Sequence, residues 1–157
     1  MRPFSGRRSA VWLAAGRRRG CRSRRGWEET WFDRGPQNIA AARDRELCFA
    51  ELICSELMVS TAARRLGQSG VHLIAAPRAT GAHPRWEIAA RMTAIAAGAY
   101  VVTANRRGGR LAGGSWIVAP DGDIEARTSE DNPIVSLEID LSKADAAKLT
   151  YPRNVRD

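Results

Sequence analysis

Leu47-Cys48-Phe49-Ala50-Glu51-Leu52-Ile53-Cys54, followed directly by Ser55-Glu56-Leu57, is the stretch on which the reading of this chain turns. Its apolar, β-favouring text fits a buried strand over residues 47–54. The polar pair Ser55-Glu56 then fits the entry to a helix over residues 57–67, with Arg64 and Arg65 on the wet side. A thiol at such a junction meets unpaired N–H groups and the positive end of the helix dipole, which favour a thiolate and can hold an oxyanion. Cys54 is therefore a candidate nucleophile, against the plainer reading of a buried strand cysteine. Cys48 has the same strand phase and reads as core, and Glu56 reads as a structural acceptor at the helix start.

Working outward, Val71-His72-Leu73-Ile74-Ala75-Ala76-Pro77 reads as a second strand ended by its proline. Residues 86–98 predict a helix with Ile88, Met92 and Ile95 on one face and Gly98 as its stop. A third strand follows over 99–105, then a glycine-rich turn over 107–114 and a strand over 115–119. Pro120-Asp121-Gly122-Asp123 is a hairpin turn of the Asp-Gly kind, returning through residues 124–127. Residues 133–141 read as the last strand, and Ser142 as the N-cap of a short helix through Leu149. This alternation predicts an α/β domain, a mixed layered sheet covered by helices.

With 157 residues and 44% apolar content, the chain suits one domain with a true core. No apolar run approaches the length of a membrane span. The three cysteines, Cys21, Cys48 and Cys54, form no CxxC pair, and neither His72 nor His83 has ligand spacing with them, so a metal site is disfavoured. So few cysteines also point to a reducing, cytoplasmic compartment rather than a disulfide-built secreted domain.

The net charge of +8 is unevenly distributed. Residues 1–26 hold nine arginines and no acid, whereas the rest of the chain holds 16 basic and 17 acidic side chains. The basicity thus belongs to a leader over residues 1–26, set before a domain over 27–157. Three readings of the leader compete: an organelle transit peptide, a nucleic-acid-binding arm, and patternless disordered text of the kind a shifted reading frame produces. The lack of periodicity favours the last, which leaves nucleic-acid binding as the weaker alternative.

Residues 27–155 resemble the carbon–nitrogen hydrolase (nitrilase/amidase) superfamily, over about the C-terminal two-thirds of its usual length. Leu52-Ile53-Cys54-Ser55-Glu56-Leu57 is similar to the nucleophile strand and elbow. Gly70-Val71-His72-Leu73-Ile74-Ala75-Ala76-Pro77 resembles the strand that follows. Arg91-Met92-Thr93-Ala94-Ile95-Ala96-Ala97-Gly98-Ala99-Tyr100-Val101-Val102-Thr103-Ala104-Asn105-Arg106 is similar to a helix and strand ending in Asn-Arg. Gly114-Ser115-Trp116-Ile117-Val118-Ala119-Pro120-Asp121-Gly122 resembles the family hairpin.

The resemblance implies an α-β-β-α sandwich, here expected to be N-terminally truncated, with an edge and part of an apolar face left uncovered. It implies a dimer or larger homo-oligomer, a small-molecule amide or nitrile substrate, and no cofactor. It assigns the nucleophile to Cys54, the oxyanion-binding N–H to Ser55 and a supporting glutamate to Glu28, in Trp27-Glu28-Glu29-Thr30-Trp31-Phe32-Asp33-Arg34-Gly35. The family's lysine and first glutamate have no counterpart, for no lysine precedes Lys143, so impaired activity is expected. The competing reading is a fold-retaining binding or scaffold protein with an inert Cys54. Leu57 and Met58 stand where carbamoylases carry substrate-binding arginines, which disfavours an anionic substrate of that kind. Of the remaining polar residues, His72 reads as core or edge and His83 as a solvated loop residue. Glu51 is open between exposed and paired, and Arg78 and Arg106 between substrate and acid partners.

Overall fold

The computed structural model describes residues 39–150 and Arg153. The expectations for residues 1–38, including the leader and Glu28, lie outside the described residues. Six strands form one mixed sheet: β1 (Ala42–Asp44), β2 (Leu47–Glu51), β3 (Leu73–Arg78), β4 (Tyr100–Asn105), β7 (Trp116–Val118) and β8 (Ile124–Arg127), in that spatial order. The central three are parallel, and antiparallel strands flank them on both sides. A 3-10 turn (Cys54–Met58) and α1 (Ser60–Gln68) carry the chain from β2 to β3, and α2 (Arg85–Ala97) carries it from β3 to β4. The glycine-rich segment forms a separate two-stranded ribbon, β5 (Arg107–Gly108) with β6 (Leu111–Ala112). A short helix α3 (Leu141–Lys148) follows.

Strand alternation decides which side chains meet the helices. Cys48, Ala50 and Leu52 share one buried face with Ile74, Ala76 and Val101, the register setting Ala50 beside Ile74 and Ile74 beside Val101. Against them lie Ala62, Ala63 and Leu66 of α1 and Ala89, Ala90, Ala94 and Ala97 of α2. The stripe that α2 buries is therefore made of small residues. Ile88 and Met92, expected to share one face of the helix, are 61% and 53% exposed. Close approach explains the small-residue stripe: a β-carbon on Gly67 of α1 would come within 2.4 Å of the Ala97 carbonyl oxygen, leaving no room for larger side chains at this crossing.

Other boundaries also differ from expectation. The strand expected over 47–54 ends at Glu51, although Leu52 N–H still donates to the Ala75 carbonyl at 2.9 Å. Pro77 does not end β3 but lies within it, paired with Ala104. Like Ala75, it addresses the β2 side of the strand. Because β2 has already left the sheet, the missing N–H of Pro77 forfeits no ladder bond. Residues 133–140 form no strand. Asp140, not Ser142, caps α3, accepting from Ser142 N–H at 2.9 Å and from the Ser142 hydroxyl at 2.7 Å. Gly98 does stop α2, in the left-handed conformation at φ 58°.

Candidate active site

Because β2, β3 and β4 run parallel, their C-terminal ends share one edge of the sheet, where open α/β sheets hold their ligands. Cys54 lies three residues beyond Glu51, the last residue of β2. Arg78 ends β3, and Asn105 ends β4 with Arg106 just beyond.

Cys54 has φ 52°, in the left-handed region that a residue with a β-carbon enters at a cost of about 1–2 kcal/mol. The chain turns there from strand into the 3-10 segment, which takes Cys54 out of phase with Cys48. Cys48 is buried in the core, whereas Cys54 is half-buried. A sharp, strained strand-to-helix turn of this kind lifts a side chain clear of the sheet, the geometry of a nucleophile elbow. Several bonds hold the turn. The Glu56 carboxylate accepts from Ile53 N–H at 2.8 Å, the structural role expected of it, and Glu56 N–H donates to the Ile53 carbonyl at 3.0 Å. From α2, the buried Thr93 hydroxyl donates to the Leu57 carbonyl at 3.0 Å. Ser55 follows Cys54 within the turn.

Arg78 is 7% exposed. Its Nη1 donates to Thr80 Oγ1 and its Nη2 to the Gly114 carbonyl, both at 2.6 Å. The guanidinium lies over the Trp116 ring, 4.2 Å from the centroid. Its Nε is buried without a hydrogen-bond partner. Burial pulls the guanidinium below its usual range, and a Cys54 thiolate acts in the opposite direction.

Asn105 ties the surrounding loops together. Its Oδ1 accepts from Thr80 N–H at 2.9 Å, and its Nδ2 donates to the carbonyls of Thr80 and Gly113. Its own N–H donates to the Ser115 hydroxyl at 2.9 Å. Sequence reasoning gave no role to Thr80, Thr93 or Trp116. For the threonines the available signal was a lone hydroxyl set in apolar or small-residue text, as in Ala79-Thr80-Gly81 and Met92-Thr93-Ala94.

The two histidines take no part here. His72 is buried, its Nδ1 accepting from Cys48 N–H and its Nε2 donating to Asp145, each at 3.0 Å. His83 is exposed and accepts from Arg85 N–H at 3.1 Å. Arg106 is exposed. Lys148 donates to the carbonyls of Gly98 and Ala144, and Gly98 precedes β4, so this lysine lies towards the opposite edge of the sheet. Among the described residues no three of His, Cys, Asp or Glu cluster to hold a metal, and no helix is long and apolar enough to cross a membrane.

The family model described as carbon–nitrogen hydrolase matches residues 10–149, a span that holds all the strands and helices described above. The chain belongs to the carbon–nitrogen hydrolase family. The match opens within the arginine-rich segment. Among solved structures, the fold is similar to a carbon–nitrogen hydrolase from Helicobacter pylori at TM-score 0.73 and 22% identity, covering 82% of this chain and 52% of that one. It is similar to Nit3 of Saccharomyces cerevisiae, a nitrilase superfamily member, at TM-score 0.69 and 21% identity, covering 80% and 49%. An amidase from Nesterenkonia sp. gives TM-score 0.53 and 23% identity, covering 59% and 38%. The chain spans about half the length of the first two. Comparison with the curated proteins returned no match.

Proposed function

We propose that this chain carries the nucleophile of an amidase- or nitrilase-type hydrolase, cleaving a non-peptide carbon–nitrogen bond of a small amide or nitrile through a thioester on Cys54. The observation that carries the reading is the strained φ of Cys54 at the C-terminal edge of the parallel strands. For an amide, the Cys54 thiolate attacks the carbonyl carbon and forms a C–S bond. The tetrahedral oxyanion then collapses, the C–N bond breaks, and the nitrogen leaves as ammonia after taking up a proton. Water adds to the thioester, the C–S bond breaks, and the products are a carboxylate and the regenerated thiol. In this reading Ser55 N–H stabilises the oxyanion and Glu28 supports the site, without metal or organic cofactor. A related covalent product supports the assignment: in a variant of the Nesterenkonia sp. AN1 amidase, the acetamide moiety of fluoroacetamide is added at the active-site cysteine. No lysine precedes Lys143, so slow turnover is part of the proposal.

The proposal extends to self-association in a reducing, cytoplasmic setting. Cys48 and Cys54 are free thiols. Leu57, Met58, Ile88 and Met92 line an apolar groove of 320 Å³ on the outer side of the helices, a surface that a second copy would cover. Sedimentation velocity tests this, and a monomer at every concentration would refute it.

The decisive assay is ammonia release from a panel of small aliphatic amides and nitriles, read together with the intact mass of the enzyme. The full chain should release ammonia and show an acyl adduct on Cys54, and Cys54→Ala should lose both. Release that survives Cys54→Ala would exclude this mechanism. A Cys54 that forms no adduct with any substrate would instead favour the binding or scaffold reading.

A further inference from the structure

Residues 132–140 run from the β8 side of the molecule to α3 without turn, bend or helix. Their side chains already have the two faces of a strand. Val135, Leu137 and Ile139 recur at period two; Val135 and Ile139 are half-buried, and Ile139 packs against Tyr100, Ala119 and Ala144. Ile134, Ser136, Glu138 and Asp140 alternate with them and are exposed, Ile134 by 80%. Both ends of the segment are pinned. Ser129 N–H donates to the Asn132 carbonyl and Asn132 N–H to the Ser129 hydroxyl, each at 2.9 Å, while Asp140 caps α3.

The backbone between those pins is unpaired. No N–H or C=O of residues 134–139 has a hydrogen-bond partner among the described residues. A segment with its side chains set as in a strand and its backbone open is a template for another strand.

The surrounding charge selects the partner. From Thr128 to Ser142 the chain holds four acids, Glu130, Asp131, Glu138 and Asp140, and no lysine, arginine or histidine. A cavity of 1150 Å³ opens beside residues 138–140, with Glu46 and Asp145 lining it from other elements and Arg43 as its one arginine. That is larger than the clefts of about 300–1,000 Å³ that hold drug-sized ligands. His72 also lines it but is engaged by Asp145 and the Cys48 N–H. Glu46 and Glu138 have no ion pair among the described residues. Two copies of this segment laid side by side would place acids on both strands, and like charges oppose such pairing. A basic strand meets the opposite condition.

We infer that residues 133–140 are a docking strand for a basic, extended peptide segment of a partner protein. The segment adds alongside as a β-strand and sets lysine or arginine side chains against Glu46 and Glu138. The cavity lies towards the N-terminal edge of the parallel strands, where His72 leads into β3, whereas Cys54 follows the C-terminal end of β2. The inference is therefore independent of the thiol chemistry, and failed ammonia release would leave it untouched.

The test uses the full chain and a blocked eight-residue peptide of alternating lysine and valine, with amide hydrogen exchange resolved along the sequence. The chain carries a net charge of +8, so long-range charge opposes a basic peptide and binding reports a local acidic site. Saturating peptide should slow exchange across residues 134–139 by at least about tenfold, and added salt should weaken binding. Glu138→Lys, at an exposed position, should weaken binding about fivefold. The same peptide N-methylated at every residue keeps its charge but has no backbone donors, and should give no protection.

Failure of the basic peptide to bind at low salt would overturn the inference. Binding without protection at residues 134–139, or equal protection by the methylated peptide, would reject strand addition. Unchanged binding to Glu138→Lys would reject the charge argument and the basic partner with it. Protection already present in the peptide-free chain, and rising with protein concentration, would make a second copy the occupant and overturn the assignment.

Discussion

Gly67 shows how a single hydrogen atom fixes the distance between two helices. Its missing β-carbon lets α1 approach the carbonyl end of α2, where an added carbon would lie 2.4 Å from the Ala97 oxygen and 2.9 Å from its carbonyl carbon. Backbone atoms cannot swing aside as a flexible side chain can, so the helices would have to separate. Gly67→Ala should therefore lose about 2–3 kcal/mol, the range of an overpacked core, despite alanine's better helix propensity. Chemical denaturation checks this, and a variant as stable as the parent would show that the crossing relaxes freely. At the same scale, the place of Cys54 at a strand-to-helix turn was legible because such a junction is a local signal. The buried state of Arg78 was not, since it depends on Thr80 meeting the distant segment of Gly114 and Trp116.

At the scale of elements, α2 is joined to the hairpin strand β8 through the Glu87 carboxylate and both Nη atoms of Arg127, at 2.9 and 3.0 Å. The hydrogen bonds from Arg127 hold the Glu87 carboxyl below its ordinary 4.5, and Glu87 in turn raises Arg127. A lowered folded-state pKa means stability that is present above the unfolded carboxylate range and lost as pH falls through the folded value. Glu87→Gln should cost about 0.5 kcal/mol at pH 7, a figure discounted for the solvent exposure of the pair, and nothing near pH 2. Thermal melts of both proteins across that range supply the check, and a constant difference would point to packing rather than charge. The elements themselves were largely readable, because β2, β3, α2 and β4 are long enough for periodicity to speak. Two features were not legible, each for its own physical reason. Residues 133–140 have strand-like text but no partner strand in the described sheet, and sequence pattern cannot report whether a partner exists. The buried stripe of α2 was not read because alanines carry little hydrophobic weight, yet small residues fit the narrow space beside α1.

Considered as a whole, the described unit has a sheet with two unlike faces. One is fully buried under α1 and α2, while Phe49, Leu73, Ala75 and Val102 on the other are only half-buried, as one layer of the family sandwich would be. Across this scaffold the left-handed backbone at Cys54 opposes stability, and glycine would remove the penalty. Cys54→Gly should melt above Cys54→Ala, by about 1 kcal/mol once glycine's greater unfolded-state freedom is included. Equal melting points would show that the turn carries no strain. For this lineage the two demands pull on one codon. On the proposed function, mutation towards glycine would toughen the molecule while erasing the nucleophile, so residue 54 is where a drift from hydrolase to inert scaffold would first become visible.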